Sequence, residues 1–391
     1  MSKYSDSMAP PLDYPLLFTV LFLLGFGFIM VSSASMPIGA RPPLNNPFHY
    51  VWRHLFALTL AFGAAWVCYL IPLNRWAEYG TWLFLFGISL LILVLIPGVG
   101  TTVNGATRWI RLGVLNVQTS ELMKLFAVIY VSSYLVRRQV DVITTVTGFI
   151  RPMLFIGVAA ALIVIQPDFG TAAVLIATVL GLLFLGGVPL IHFVILFGLV
   201  LSALVVLVLV EPYRLVRVTS FMQPFADPFN TGYQLSQALI AFGRGEWLGV
   251  GLGNGIQKQY FLPEAHTDFL LAVIGEECGL LGIAAVIGGF GFIVWRAWAI
   301  GTRAKAANEL FASYTAHGIG LWLGLQAFVN AGVNTGLLPT KGITLPFMSY
   351  GSNAVIVATM AAAVLLRIDS ELRRKTPVST AAAGGRRWAH A

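Results

Sequence analysis

Asp268 has the residue type and the setting of a general base. It ends the polar run PEAHTD at 263–268, and a long apolar stretch follows it. Partial loss of water at such a border raises a carboxyl pKa toward the range in which a base works near neutral pH. An aspartate there also suits a helix N-cap, which stabilises a helix by about 1 kcal/mol. Residue type and position alone favour the cap.

Four more ionisable residues lie within apolar stretches, where a charge is costly and is normally paired or functional. Glu276 and Glu277 follow Asp268 along the chain and would lie about 12 Å deeper in a helix. We predict that they pair with Lys124 or face a polar cavity, and proton-coupled transport is the functional alternative. Glu121 and Lys124 share one helix face, which predicts a structural ion pair that also lines a cavity.

Arginine and lysine side chains occur in the segments between the apolar stretches. A guanidinium group can bind two phosphate oxygens at once, so a phosphate-bearing lipid would explain cations at these places. For any single one of them, ordinary solvated loop charge is the simpler interpretation. The candidates are Arg108, Arg111, Arg214, Arg217, Arg244 and Lys258.

Three other features carry weaker signals. The glycine-rich run at 249–255 lacks the preceding strand and the βαβ context of a nucleotide loop, so a flexible or tightly turning loop is predicted. Cys68 and Cys278 form neither a disulfide framework nor a metal pattern. The net charge of +8 comes without a basic helix or stripe, so nucleic acid is not indicated as a partner.

The composition requires a membrane around the elements that carry these residues. The chain is 58% hydrophobic and 10% charged, with a mean hydropathy of +0.82, whereas about a quarter of the residues of a soluble protein are charged. We therefore predict an all-α integral membrane protein with about ten spans of roughly 20 residues each. The predicted spans are 14–34, 51–71, 79–97, 119–136, 151–166, 171–187, 189–210, 268–295, 309–330 and 346–366.

The charges between the spans set the orientation. Both ends of the chain are predicted to be cytoplasmic, because this places the basic tail 367–391 inside, as the positive-inside rule favours. Residues 1–13 are then a cytoplasmic segment, and the first apolar run is a retained span rather than a signal peptide. Residues 14–366 form one membrane domain with a large outer loop at 211–267. That loop is rich in aromatic residues, so we expect short helices in it, for example around 232–243.

Seven distinctive runs are spread along the chain. They are NGATRWI at 104–110, QTSELMK at 118–124, QPDFGTA at 166–172, YRLVR at 213–217, DPFNTGYQLSQALIAFG at 227–243, GRGEWLGVGLGNGIQKQYFLPEAHTDF at 243–269 and NTGLLPTKGITLPFMSYG at 334–351. These runs resemble the SEDS family (shape, elongation, division and sporulation) of polytopic peptidoglycan glycosyltransferases, and the resemblance extends from about residue 14 to 366. PEAHTD and PTKG are similar to the division branch, FtsW, rather than to the elongation branch, RodA.

The resemblance implies polymerisation of lipid II, a disaccharide-pentapeptide on undecaprenyl pyrophosphate, at the outer face of the bacterial inner membrane. The essential carboxylate of the family corresponds to Asp268, which changes the preference from cap to catalytic base. A divalent cation would assist the leaving group, but the sequence contains no ligand cluster for a metal. The residues implied in substrate binding are Arg108, Arg214, Arg217, Arg244, Lys258, Glu121, Lys124 and His266.

The resemblance also implies partners and a place in the cell. These are a cognate class B penicillin-binding protein transpeptidase, other division proteins, membrane lipid and the division septum. Two alternatives stay open at this point: a lipid II flippase, and a non-catalytic scaffold that recruits a transpeptidase. The chain departs from the family pattern at Thr119, where proline is usual, and at Ser352 and Asn353, where the family reads SYGGSS.

Overall fold

The structure, a computed structural model, is a bundle of long helices with a small sheet at one end. It describes residues 12–103, 106–112, 115–198, 202, 224–227, 229–230, 232–339 and 342–375. Over these ranges the helices are α1 Tyr14–Gly39, α2 His49–Leu70, α3 Leu73–Leu95, α4 Thr119–Arg137, α5 Gln139–Thr144, α6 Val146–Ile165, α7 Phe169–Leu185, α8 Tyr233–Gly245, α9 Leu270–Ala306, α10 Leu310–Asn334 and α11 Ser352–Lys375. Residues 190–198 are helical as well, and a π-helix covers Gln257–Phe261.

Nine of the predicted spans correspond to helices whose ends differ from the predicted ones by several residues. The tenth, 189–210, lies largely outside the described residues. Within the described part of the chain, six helices are long and apolar enough to cross a membrane, namely α1, α2, α3, α4, α6 and α9. The reversal predicted at 166–170 separates α6 from α7, and the short helix predicted around 232–243 is α8.

The prediction of an entirely helical chain was incomplete, because a three-stranded antiparallel sheet joins α3 to α4. Its strands are β1 Gly100–Val103, β2 Ala106–Leu112 and β3 Leu115–Gln118, in the order β1-β2-β3. The pair Asn104-Gly105 between two short strands is a strong hairpin signal that hydropathy windows overlook. Asn353 donates from Nδ2 to the carbonyl of Asn116 at 2.7 Å, so this departure from the family pattern ties α11 to β3.

Helix α9 is broken at Gly279, where the backbone has φ 66° and ψ −163°. A side chain there would lie within 2.4–2.6 Å of backbone atoms of residues 247–249. The carbonyls of Glu276 and Glu277, freed by the break, accept hydrogen bonds from the N–H groups of Val250 and Gly251 at 2.9 and 3.1 Å. In exchange, the N–H groups of 280 and 281 donate to the carbonyls of 246 and 247. The glycine-rich run is therefore a tight loop inserted into a helix, as non-helical backbone at a membrane helix requires.

Ion pairs gather at the end of the bundle opposite Asp268. Asp13, which is buried, pairs with Arg296 on α9 at 2.5 Å. Asp369 on α11 is also buried and bridges Arg303 and Arg373 at 2.6 and 2.5 Å. These pairs hold α1, α9 and α11 together at the end opposite Asp268. Other contacts hold the helices together at the Asp268 end.

Replacing Thr119 with proline is expected to stabilise the protein by about 1 kcal/mol. Thr119 is the first residue of α4, a position that suits proline, and Gln118 before it is already extended at φ −89° and ψ 109°. The Thr119 hydroxyl is buried and has no hydrogen-bond partner among the described residues. Thermal unfolding in detergent measures the change. Thr119→Val, which replaces the hydroxyl with a methyl group and leaves the backbone unchanged, should show part of the gain. A lower melting temperature for Thr119→Pro would contradict the argument.

Candidate active site

Asp268 lies just before α9, and its backbone is held from the neighbouring helix. The side-chain amides of Asn330 and Asn334 on α10 both donate to the Asp268 carbonyl at 2.9 Å. The N-cap of α9 is Phe269, and no side chain of the described residues caps that helix. The N-cap interpretation of Asp268 is therefore wrong, and the structure leaves its carboxylate available for another role.

The Asp268 carboxylate faces the loop that precedes α11. A side chain on Gly342 would lie 2.8 Å from Asp268 Oδ2, so only glycine allows the loop to come this close. Asn330 also donates to the carbonyl of Ile343 at 2.6 Å. One asparagine thus fixes both the aspartate and the loop opposite to it.

The surroundings of Asp268 raise the pKa of its carboxyl group. Burial and the nearby carboxylates of Glu264 and Asp168 raise the pKa of Asp268 to about 7, and the Arg108 guanidinium opposes the rise. A carboxyl group with such a pKa is basic enough to take a proton from a hydroxyl and is largely ionised just above neutral pH. This is the property expected of a general base.

Replacing Glu264 with glutamine is expected to shift the acidic limb of the pH–rate profile to lower pH. The Glu264 charge contributes to raising the pKa of Asp268, so its removal lets Asp268 ionise, and act as a base, in more acidic solution. The measurement is kcat/KM against pH for the polymerisation that the sequence resemblance implies. Glu309→Gln at the opposite end, where Glu309 pairs with Lys375 at 2.5 Å, should leave the limb in place. An acidic limb that stays at the same pH or moves to higher pH in Glu264→Gln would contradict the assignment of Asp268 as the base.

Strand β2 carries Arg108 to the α6–α7 turn. Its Nε donates to the carbonyl of Gln166 at 2.9 Å and its Nη2 to that of Pro167 at 2.5 Å. Asp168, the next residue, is buried and caps α7 by accepting the Thr171 N–H at 3.4 Å. Arg108 on the sheet and Asp168 on the turn therefore both act electrostatically on the Asp268 carboxylate.

His266 packs in a cluster of rings beside the site. Its ring centroid lies 5.2 Å from those of both Tyr50 and Tyr350, and the Tyr350 N–H donates to the His266 carbonyl at 2.9 Å. Burial lowers the pKa of His266 although Glu264 opposes the change, so the imidazole is neutral at physiological pH. A neutral ring can both donate and accept a hydrogen bond.

The ion pair predicted between Glu121 and Lys124 is present. Their charged groups are 2.9 Å apart and both side chains are buried. Lys124 also donates to Gln326 Oε1 at 2.7 Å, and Trp322 donates to the same oxygen at 2.9 Å. Glu121 Oε2 has no hydrogen-bond partner among the described residues.

The predicted pairing of Glu276 and Glu277 with Lys124 is wrong. Glu276 pairs with Arg244 at 2.8 Å and Glu277 with Lys258 at 2.6 Å. Because the helix break brings the 244–258 segment against these carboxylates, local cations neutralise them.

Two of the predicted substrate cations, Arg214 and Arg217, lie outside the described residues. Arg111, the other cation of strand β2, has an exposed side chain. Among the described residues, no group of three or more His, Cys, Asp or Glu could hold a metal ion.

Comparison with known proteins identifies the family. The family model described as "Cell cycle protein", which covers FtsW, RodA and SpoVE, matches residues 14–374. The chain belongs to this family. The family predicted from the sequence is confirmed.

Relatives of this FtsW/RodA/SpoVE-family protein match it over nearly their whole length. A protein of Allochromatium vinosum named "Probable peptidoglycan glycosyltransferase FtsW" is 63% identical over 366 residues, which is 94% of this chain and 92% of that one. A protein of Coxiella burnetii with the same name is 50% identical over 351 residues, 90% of this chain and 94% of that one.

Solved structures have a similar fold. A chain from a structure described as "Structural coordination of polymerization and crosslinking by a peptidoglycan synthase complex" has a TM-score of 0.74 and 27% identity, covering 92% of this chain and 98% of that one. The rod shape determining protein RodA of Thermus thermophilus has a TM-score of 0.67 and 27% identity, covering 92% of this chain and 96% of that one. An integral membrane protein that is mostly helical is therefore confirmed.

Sequence reasoning missed three residues that build the site of this family member. Asn330 and Asn334 hold the Asp268 backbone, and Asp168 caps α7 while raising the pKa of Asp268. A signal was present for the asparagines, because two amides four residues apart share one face of an apolar helix, where unpaired polar groups are costly.

Proposed function

We propose that this peptidoglycan glycosyltransferase polymerises lipid II with Asp268 as its general base. The observation that carries the proposal is a half-buried carboxyl group, with its pKa raised to about 7, beside an arginine at one end of a membrane helix bundle. The names of the relatives supply the class of reaction. The carboxylate and the arginine supply the two groups that this reaction needs.

Asp268 takes the proton from the attacking sugar hydroxyl as its oxygen bonds to the anomeric carbon of a second lipid II. The bond from that carbon to the lipid pyrophosphate breaks, and the electron pair leaves with the pyrophosphate. The proton removed by the base is released to water, so the step is balanced. Positive charge near the departing oxygens lowers the barrier.

Arg108 is the best-placed described cation for the pyrophosphate. Two of its N–H groups are used by the carbonyls of Gln166 and Pro167, and Nη1 makes no hydrogen bond to the protein within the described ranges. This anchoring fixes the guanidinium plane while leaving donors for phosphate oxygens. His266, Glu121, Lys124, Arg214 and Arg217 remain predicted substrate contacts.

The proposed topology has ten spans with both chain ends in the cytoplasm. The cluster of basic residues on α9 and α11, at the end opposite Asp268, supports it through the positive-inside rule. Asp268 then faces the periplasm, where a lipid II headgroup would lie. We propose 1–13 and 367–391 as cytoplasmic segments around the membrane domain 14–366, with 211–267 as the outer loop.

A cognate class B penicillin-binding protein, other division proteins and the septum complete the proposal. The name of one solved structure, which speaks of polymerization and crosslinking by one synthase complex, supports a transpeptidase partner. The FtsW name of the relatives supports the septum.

The deciding experiment is lipid II polymerisation by the purified protein with its partner, for wild type and Asp268→Asn. Glycan chains from wild type and none from a folded, partner-binding mutant are expected. Full activity in the mutant removes Asp268 from the mechanism. No polymer from wild type, with lipid II transfer across vesicles, would indicate a flippase instead, and partner binding alone would indicate a scaffold.

A further inference from the structure

Two buried carboxylates at the break in α9 bind both cations and backbone N–H groups of the 244–258 segment. Glu276 and Glu277 have exposed fractions of 0% and 1%, and each binds a cation from the 244–258 segment. We call Glu276, Glu277, Arg244 and Lys258 the carboxylate clamp. Buried carboxylates without partners would be very costly, so these contacts strongly favour one arrangement of the segment.

The clamp also binds backbone N–H groups of the segment. Glu276 accepts from the N–H of Ile256 at 2.9 Å and from that of Gln257 at 3.0 Å. Glu277 accepts from the Gly253 N–H at 3.1 Å. Hydrogen bonds weaken steeply as their angle bends, so these backbone donors hold the segment in one position against the carboxylates.

Helix α1 supplies a third attachment. The Ser33 hydroxyl donates to Glu277 Oε2 at 2.8 Å, and Lys258 Nζ donates to Ser33 Oγ at 2.7 Å. Glycine is needed where the two parts meet, because a side chain on Gly255 would lie 2.9 Å from Glu277 Oε1 and 3.0 Å from Glu276 Oε2. Gly255 therefore allows close packing against the clamp.

The chain between Gln257 and Glu276 leaves the clamp, includes Asp268 and returns to the clamp; we call this segment the excursion. The contact between the Glu276 carboxylate and the Gln257 N–H closes its base. Leu262, held to the Gln257 carbonyl through its N–H at 2.8 Å, is buried and begins the run that leads to Asp268. Asn330 and Asn334 hold the other side of the excursion at the Asp268 carbonyl.

We propose that Glu276 and Glu277 are positioning residues that, through Arg244, Lys258 and the N–H groups of 253–257, set where Asp268 stands. This inference rests on the proposed function and reassigns Arg244 and Lys258 from substrate contacts to the clamp. A base displaced by about 1 Å can lose as much as 10²-fold in rate, so the clamp acts on kcat and not on the affinity for lipid II.

The test compares Glu276→Gln and Glu277→Gln with wild type in lipid II polymerisation with the partner. The expected result is a fall in kcat of about 10²-fold with little change in KM. The acidic limb of the pH profile should move to lower pH, because a loosened excursion lets water reach Asp268 and weakens the effects of Glu264, Asp168 and Arg108 on it. Amide hydrogen exchange at 250–257 should become faster.

Asp369→Asn is the matched control, since Asp369 is also buried and binds two arginines, at 2.6 and 2.5 Å, at the opposite end. It should lower stability without moving the pH limb or exchange at 250–257. Gly255→Ala is the milder variant, because it pushes the segment away while keeping all four charges. Lys258→Arg should retain most activity, whereas Lys258→Met should not.

Wild-type kcat and an unmoved pH limb in folded clamp variants would overturn the proposal. The same changes in Asp369→Asn would overturn it as well, because they would be those of general destabilisation. A selective rise in KM for Lys258→Met would return Lys258 to the substrate. If wild type itself makes no polymer, the proposed function fails and not the clamp alone, so the two failures are distinguishable.

Discussion

Asp268→Asn is expected to lower kcat for lipid II polymerisation by about 10²- to 10⁴-fold, the usual contribution of general base catalysis. Asparagine keeps the size of the side chain but cannot accept the proton of the attacking hydroxyl. The main-chain contacts of Asp268 to Asn330 and Asn334 do not involve its side chain, so the fold should persist. Because asparagine also removes a half-buried group with a pKa raised to about 7, stability should not fall.

The measurement is the rate of glycan formation at saturating lipid II, with melting temperature and partner binding as checks on the fold. In wild type, kcat/KM should rise through about pH 7, because it follows the pKa of Asp268 in the free enzyme, and the residual kcat/KM of the mutant should lack this limb. The matched control is Asp168→Asn, which leaves Asp268 in place and lowers its pKa by removing a neighbouring charge. Asp168→Asn should retain the limb at lower pH, and a wild-type rate in Asp268→Asn would exclude the base.

Local hydropathy and charge explain why the sequence predicted the bundle well. A run of apolar residues long enough to cross a bilayer has few alternatives to a helix, and α2 and α4 begin and end within two residues of their predicted limits. The sheet at 100–118 was not predicted, because its strands are only four to seven residues long. A hydropathy average over about 20 residues, the length of a membrane span, does not resolve strands this short.

The partners of buried charges were harder to predict. Glu121 and Lys124 could be paired because the contact is local to one helix turn. Glu276 and Glu277 were assigned the wrong partner, since the break at Gly279 brings in cations that lie 32 and 19 residues earlier in the chain. Nothing in helix periodicity indicates that a glycine will take a positive φ there, and only tertiary contacts show which cations reach the carboxylates.

Lys124→Met is expected to destabilise the protein by about 3–5 kcal/mol, the usual cost of removing one partner of a buried ion pair. Both side chains of the pair are nearly inaccessible, at 3% and 6% exposed. Without Lys124, the Glu121 carboxylate, whose Oε2 already lacks a hydrogen bond within the described ranges, must bind a proton or remain charged in an apolar site. Gln326 Oε1 keeps only the Trp322 donor. Unfolding in mixed micelles titrated with sodium dodecyl sulfate measures the loss.

The double variant Glu121→Gln/Lys124→Met separates the structural role of this pair from its predicted contact with substrate. With both charges gone, most of the lost stability should return, because two neutral side chains of similar volume need no ion partner. If the pair also lines the cavity for the lipid, KM for lipid II should stay raised in the refolded double variant although its stability has recovered. Recovery of stability and KM together would leave the pair a purely structural role, and no recovery of stability would contradict the ion-pair argument.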